Sequence, residues 1–300
     1  MLVDVLARLT VVVAVMLAVA IPTIVGVGRL WAALGDWRRR VGAALPIATV
    51  LVPVLLVNRL ARQDLIGVSR TYGIRATGLI YDVEGDFVLL FQTVSSTPLT
   101  RYFSFIYIYA YAFMLIFPVV AYFALRDTTT LRRLLAAYTL NYAIGATVYV
   151  LVLAYGPRNL LGEEIGTMLY TFRPDYQHLT GEVNHNTNVF PSLHTSLSAT
   201  VAIFAYRTRR EFPLWTPVAV GLAVSVWIST MYLGIHWAVD VLAGLVLAAG
   251  SVALADRLVG RWDVPSRLEP ATRRLGRTYE RIAPLYDRLE ALTGRLLGRT

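Results

Sequence analysis

Long apolar blocks separated by short arginine runs constrain this chain more than any other feature. Seven such blocks run roughly over residues 9–28, 43–59, 103–124, 132–155, 191–207, 214–234 and 236–258. An apolar stretch of about 20 residues spans the hydrocarbon core of a bilayer as a helix. Helices apolar on every face gain little as parts of a soluble core. Charged residues make up only 16% of the 300 residues and the mean hydropathy is +0.57, where soluble domains run near a quarter charged. The sequence predicts an all-α, polytopic membrane bundle of about seven transmembrane helices.

Three regions follow from this pattern. Residues 1–42 hold an N-terminal helix and a loop, 43–258 a membrane domain, and 259–300 a basic tail. The first block resembles a signal peptide with Ala18-Val19-Ala20 as its cleavage site. The acid Asp4 beside Arg8, and apolar residues continuing to Val27, favour an uncleaved helix. Phe87-Val88-Leu89-Leu90-Phe91 is too short to span and reads as an interfacial stretch within a long loop at 60–102. In the tail, Leu275, Ile282, Leu289 and Leu296 recur every seven residues, with Tyr279 and Tyr286 between them and arginines on the other faces. That is an amphipathic helix suited to an anionic lipid surface; about three heptads are too few for a coiled coil.

All the basic residues are arginine and the net charge is +9. They sit at block ends and in the tail, a distribution that membrane topology requires and nucleic-acid binding does not. Arg29 and Arg38–Arg40, then Arg126, Arg132 and Arg133, then Arg207, Arg209 and Arg210, then the tail all fall on one side, which is expected to be cytoplasmic. The opposite side carries Arg158 and Arg173 in the 156–190 loop and none near Gly234; the long loop 60–102, with Arg62, Arg70, Arg75 and Arg101, counts for less. With no cysteine in the chain, disulfides, thiolate catalysis and Cys-ligated metals are excluded.

The chain has four histidines, and two stand at the mouths of apolar blocks on the side opposite the arginines. Phe190-Pro191-Ser192-Leu193-His194 opens the fifth block. Ser229-Thr230-Met231-Tyr232-Leu233-Gly234-Ile235-His236-Trp237-Ala238-Val239-Asp240 joins the sixth to the seventh. His236 and Asp240, four apart at a helix start, share one face. A carboxylate on one imidazole nitrogen fixes the tautomer and leaves the other nitrogen as a nucleophile. His194 can then act as general acid, while Ser192 and the N–H groups opening the fifth block face an anion. His178 and His185 read as loop residues. A polar His–Asp pair without catalysis, and a zinc site from His194, His236 and Asp240, are the competing readings of the same residues.

These motifs resemble the type 2 phosphatidic acid phosphatase superfamily, which also includes vanadium haloperoxidases. Its pattern is Lys–x6–Arg-Pro, then Pro-Ser-Gly-His, then Ser-Arg–x5–His–x3–Asp. The resemblance implies a six-helix core, a phosphohistidine intermediate, no required metal or other cofactor, and a lipid phosphate as substrate. It makes His236 the nucleophile, Asp240 its orienter, His194 the general acid, and Ser192 and Ser229 phosphate-binding positions. Three positions depart from the pattern: Leu193 replaces Gly, Thr230 replaces the third-motif Arg, and Gly166 stands at the Lys position before Arg173-Pro174. Arg173, or Arg158 in Tyr155-Gly156-Pro157-Arg158, is left to hold the phosphate. Phe-Pro-Ser-Leu-His with the third-motif Arg missing looks like the branch that includes inositol phosphorylceramide synthases, which move a phospho-head-group between lipids.

The sequence therefore points to a multi-pass enzyme of the cell membrane acting on lipid-linked phosphates at the extracytoplasmic face, as a phosphatase or a phosphotransferase. A transporter in which Asp240 and the histidines relay protons, and a non-catalytic membrane scaffold, are the alternatives.

Overall fold

Residues 2–64, 66–162, 165 and 189–259 are described by the computed structural model, with only the backbone of residues 2, 58–64 and 66. Arg173, His178, His185 and the expected amphipathic tail lie outside them. The described chain is almost entirely helical. Its long helices are α1 (Leu2–Ala20), α2 (Trp37–Asp64), α3 (Thr97–Phe123), α4 (Thr129–Leu151), α5 (Leu193–Arg207), α6 (Trp215–Tyr232) and α7 (Ala238–Leu258). A π-turn at Ile21–Val25 extends α1, and another at Ile106–Ala110 interrupts α3.

All of these except α5 are long and apolar enough to cross a membrane. Fifteen residues give α5 a length of roughly 22 Å. It also carries Thr195, Ser196, Ser198 and Thr200, all buried. α5 sits inside the bundle, packed against α4, α6 and α7, and its buried hydroxyls are bonded within the helix or to side chains of those neighbours. Ser198 donates to the His194 carbonyl at 2.7 Å and Thr200 to the Ser196 carbonyl at 2.8 Å. Asn141 of α4 donates to the Ala137 carbonyl and to Thr200, and accepts from the Ser196 hydroxyl. The Trp227 indole of α6 donates to Ser198 at 3.0 Å. Polar side chains thus fasten α4 and α6 to α5 where an apolar solvent offers no other partners.

The loop expected at 60–102 is largely helical. Helix α2 runs on to Asp64, and short helical pieces follow at Ile66–Tyr72, Thr77–Glu84, Gly85–Leu89 and Leu90–Thr93. Two-residue strands, Ile74–Arg75 and Val152–Leu153, pair in parallel and join this stretch to the end of α4. The interfacial stretch at Phe87–Phe91 is accordingly a helical turn that buries Val88 completely.

Opposite ends of the bundle differ in chemistry. At one end Asp256 of α7 meets Arg207 of α5 at 2.8 Å and Arg133 of α4 at 3.6 Å, and Arg40 donates to the Phe123 and Leu125 carbonyls at the end of α3. Arg29 meets Glu211 at 3.5 Å. At the other end the C-termini of α4 and α6 meet the N-termini of α5 and α7, and both histidine motifs lie there.

Candidate active site

The turn that carries His236 is built on Gly234. Its φ of +66° lies in the left-handed region, where a side chain is strained. Beyond it the Thr230 carbonyl accepts from the N–H groups of both Ile235 (2.9 Å) and His236 (3.1 Å). Neighbouring segments hold the turn from outside. Arg158 N–H donates to the Gly234 carbonyl at 3.0 Å, the Trp237 indole to the Tyr155 carbonyl at 2.9 Å, and the Gln92 amide to the Tyr232 carbonyl at 2.9 Å. Trp237 is fully buried and meets Tyr81 edge-on.

Asp240 closes the first turn of α7. Its Oδ2 accepts from Trp237 N–H at 2.9 Å and lies 3.3 Å from Nδ1 of His236. Both side chains are buried, at 1% exposure for His236 and 0% for Asp240. With Nδ1 on the carboxylate, the proton belongs there and the lone pair on Nε2. Oδ1 of Asp240 is buried and has no hydrogen-bond partner among the described residues.

Ser192 caps α5. Its Oγ accepts from the N–H (3.3 Å) and hydroxyl (3.1 Å) of Thr195, and its own N–H donates to the Asp240 carbonyl at 3.0 Å. The same contact explains Gly244: a Cβ there would stand 2.6 Å from the Ser192 carbonyl oxygen and 3.0 Å from Cβ of Thr195. Only a missing side chain lets the two motif-bearing helices approach this closely. The His194 and His236 ring centroids are then 6.4 Å apart.

The structure brings His194, His236, Asp240 and Ser192 to one place and puts Arg158 beside the His236 turn. Ser229 lies at the end of α6, fully buried, with its hydroxyl donating to the Val226 carbonyl at 2.7 Å. Thr230, at the family's Arg position, is also buried and donates to the Trp227 carbonyl. Leu193, at the family's Gly position, is buried against Gly145 of α4. Among the described residues no three His, Asp or Glu side chains converge as a metal site.

Sequence reasoning missed three side chains here. Tyr107 and Tyr111 of α3 pack on the His194 ring at centroid distances of 4.4 and 4.3 Å. Tyr107 belongs to the π-turn, and such turns recur at functional sites. The four-residue spacing of these tyrosines was a visible signal, though without a partner. Glu84 is the third: its Oε2 accepts from Val239 N–H at 3.0 Å. Burial pushes its carboxyl above the usual carboxylate range, against the opposing pull of the Ala238 and Val239 N–H groups.

Residues 81–254 match the family model of the PAP2 superfamily. The chain belongs to that superfamily. It is also similar to an uncharacterized protein of Methanocaldococcus jannaschii, at 26% identity over 166 residues, covering 54% of this chain and 62% of the relative. No solved structure matches it.

Proposed function

We propose that this protein transfers a phosphoryl or phospho-head-group from a lipid-linked phosphate through a phosphohistidine on His236. The observation that carries the reading is the buried Nδ1–carboxylate contact of 3.3 Å, which turns Nε2 of His236 away from Asp240. Nε2 attacks phosphorus, the bond from phosphorus to the leaving oxygen breaks, and His194 gives that oxygen its proton. In the second half an acceptor hydroxyl attacks the phosphohistidine, His194 takes the proton of that hydroxyl, and His236 is released. Water as acceptor makes the protein a phosphatase; a lipid hydroxyl makes it a transferase, as in the inositol phosphorylceramide synthase-like branch.

The chemistry needs no metal in this scheme, because the imidazolium formed on phosphorylation is balanced by Asp240. Charge on the transferred group falls to Arg158, beside Gly234, and to Arg173, with Ser192 and Ser229 as the motif serines. Arginine placement supports an extracytoplasmic site and a cytoplasmic tail, since both histidine motifs lie at the end opposite the Arg133–Asp256–Arg207 cluster.

The test is a panel of lipid phosphates, with and without a lipid acceptor, given to purified protein and to His236→Asn, with products resolved by mass. Turnover by the wild type that disappears in the variant is expected. Equal turnover in both would end the reading, and product mass separates hydrolysis from transfer.

A further inference from the structure

We infer that Glu84, which belongs to neither histidine motif, is a positioning residue for the His236–Asp240 pair and acts through its charge. The inference rests on the reading of His236 as nucleophile. Four backbone N–H groups open α7 without partners in their own helix, at Trp237, Ala238, Val239 and Asp240. Asp240 takes the first, at 2.9 Å, and Glu84 takes the third, at 3.0 Å, with Ala238 also bonded to it. The positive end of α7 is therefore occupied by two carboxylates of the protein itself. Two consequences follow.

The first is directional. A helix N-terminus attracts anions. If the start of α7 were open, it would compete for the Asp240 carboxylate and for the substrate phosphate. With Glu84 seated there, Asp240 is left to Trp237 N–H and His236. The second is electrostatic. Phosphorylation of Nε2 leaves a positive ring beside Asp240, and Glu84 adds a second negative charge close to that carboxylate. The geometry is anchored from outside α7: Glu84 ends the Thr77–Glu84 helix, and Tyr81 one turn earlier rests on Trp237. Its other oxygen, Oε1, is buried without a hydrogen-bond partner among the described residues. A carboxylate retained at that cost suits a role that an amide would not fill.

Glu84→Gln separates charge from shape, since the amide oxygen still accepts from Val239 N–H. The titratable groups around His236 are Asp240 on α7, Glu84, His194 of α5 with Tyr107 and Tyr111 of α3 behind it, Tyr232 of α6, and Arg158 beside Gly234. Of these the variant changes one charge only. Turnover of lipid phosphate is expected to fall roughly tenfold in kcat with KM little changed, because the lost charge acts on the positive ring and not on substrate binding. In parallel, the imidazole 15N resonances of full-length protein in detergent are titrated, with His178, His185 and His194 replaced in turn to assign His236. Its midpoint is expected about one unit lower in Glu84→Gln.

The NMR arm does not depend on lipid turnover. A wild type that turns over no lipid phosphate defeats the proposed function while the titration still decides the role of Glu84. A Glu84→Gln protein with unchanged kcat and an unchanged His236 midpoint overturns the inference. So does a loss of activity in Glu84→Gln with the midpoint unmoved, which would reduce Glu84 to a packing role. Glu84→Ala would remove charge and acceptor together, so Glu84→Gln is the deciding variant.

Discussion

The contact between Gly244 and the start of α5 gives the sharpest quantitative test of the site. Gly244→Ala places a Cβ 2.6 Å from the Ser192 carbonyl oxygen, 0.8 Å inside the 3.4 Å at which ordinary contact begins, and 3.0 Å from Cβ of Thr195. The first obstacle is backbone, so no rotamer change relieves it. Overpacking of this kind costs about 1–3 kcal/mol, and the helix preference of Ala over Gly returns up to about 1 kcal/mol. The net loss is about 0–3 kcal/mol. The larger effect is on chemistry. Relief of the clash must separate α5 from α7, moving His194 and Ser192 away from His236 and lengthening the 3.0 Å bond from Ser192 N–H to the Asp240 carbonyl. A displacement near 1 Å costs on the order of 100-fold in rate, so turnover is expected to drop roughly 10- to 100-fold.

Gly250 supplies the control. It lies on the same helix, is exposed, and has nothing within 4 Å of an added Cβ. Gly250→Ala is expected to raise the thermal midpoint slightly and leave turnover alone. Both variants are assayed for lipid phosphate turnover and for thermal unfolding in detergent. If Gly244→Ala matches Gly250→Ala in both measurements, the close approach does not set the site and the reasoning fails.

Two further outcomes are expected. A Cβ on Gly145 would stand 2.7 Å from Cδ2 of Leu193, so Gly145→Ala should lower the thermal midpoint in the wild type and raise it in a Leu193→Ala background, a coupling of about 1–3 kcal/mol; equal shifts in the two backgrounds would refute the pairing. Burial holds Glu84 above its ordinary value of 4.5, so the native state binds this proton more tightly than the unfolded chain. Its stabilising contribution is complete below 4.5 and is lost as pH rises through the raised value. The midpoint of the wild type relative to Glu84→Gln should therefore fall across that window, and a constant difference would show that Glu84 does not titrate differently on folding.

The membrane bundle was legible because solvent dictates it. Long stretches without charge have one stable destination, and six of the seven blocks are helices of spanning length. The remaining block, at 191–207, shows the limit of that argument. It reads as a short span, but Thr195, Ser196, Ser198 and Thr200 make it the buried centre of the bundle, with partners on α4 and α6. The loop at 60–102 was harder still, since its short helices are held by tertiary contacts and not by periodicity of their own.

By itself the sequence determined the His236–Asp240 pair and the location of His194 at the same end of the bundle. Residues four apart on a helix must share a face, and alternating spans must return to the same side. What only the tertiary structure decided is everything that comes from distant segments. Leu193 replaces the motif glycine because Gly145, 48 residues earlier, leaves room for it. Tyr107 and Tyr111 reach His194 from α3, and Glu84 reaches the start of α7 from a helix 155 positions away. Spacing along a chain encodes contacts only within one element. Contacts between elements depend on how the helices pack, which no local pattern records.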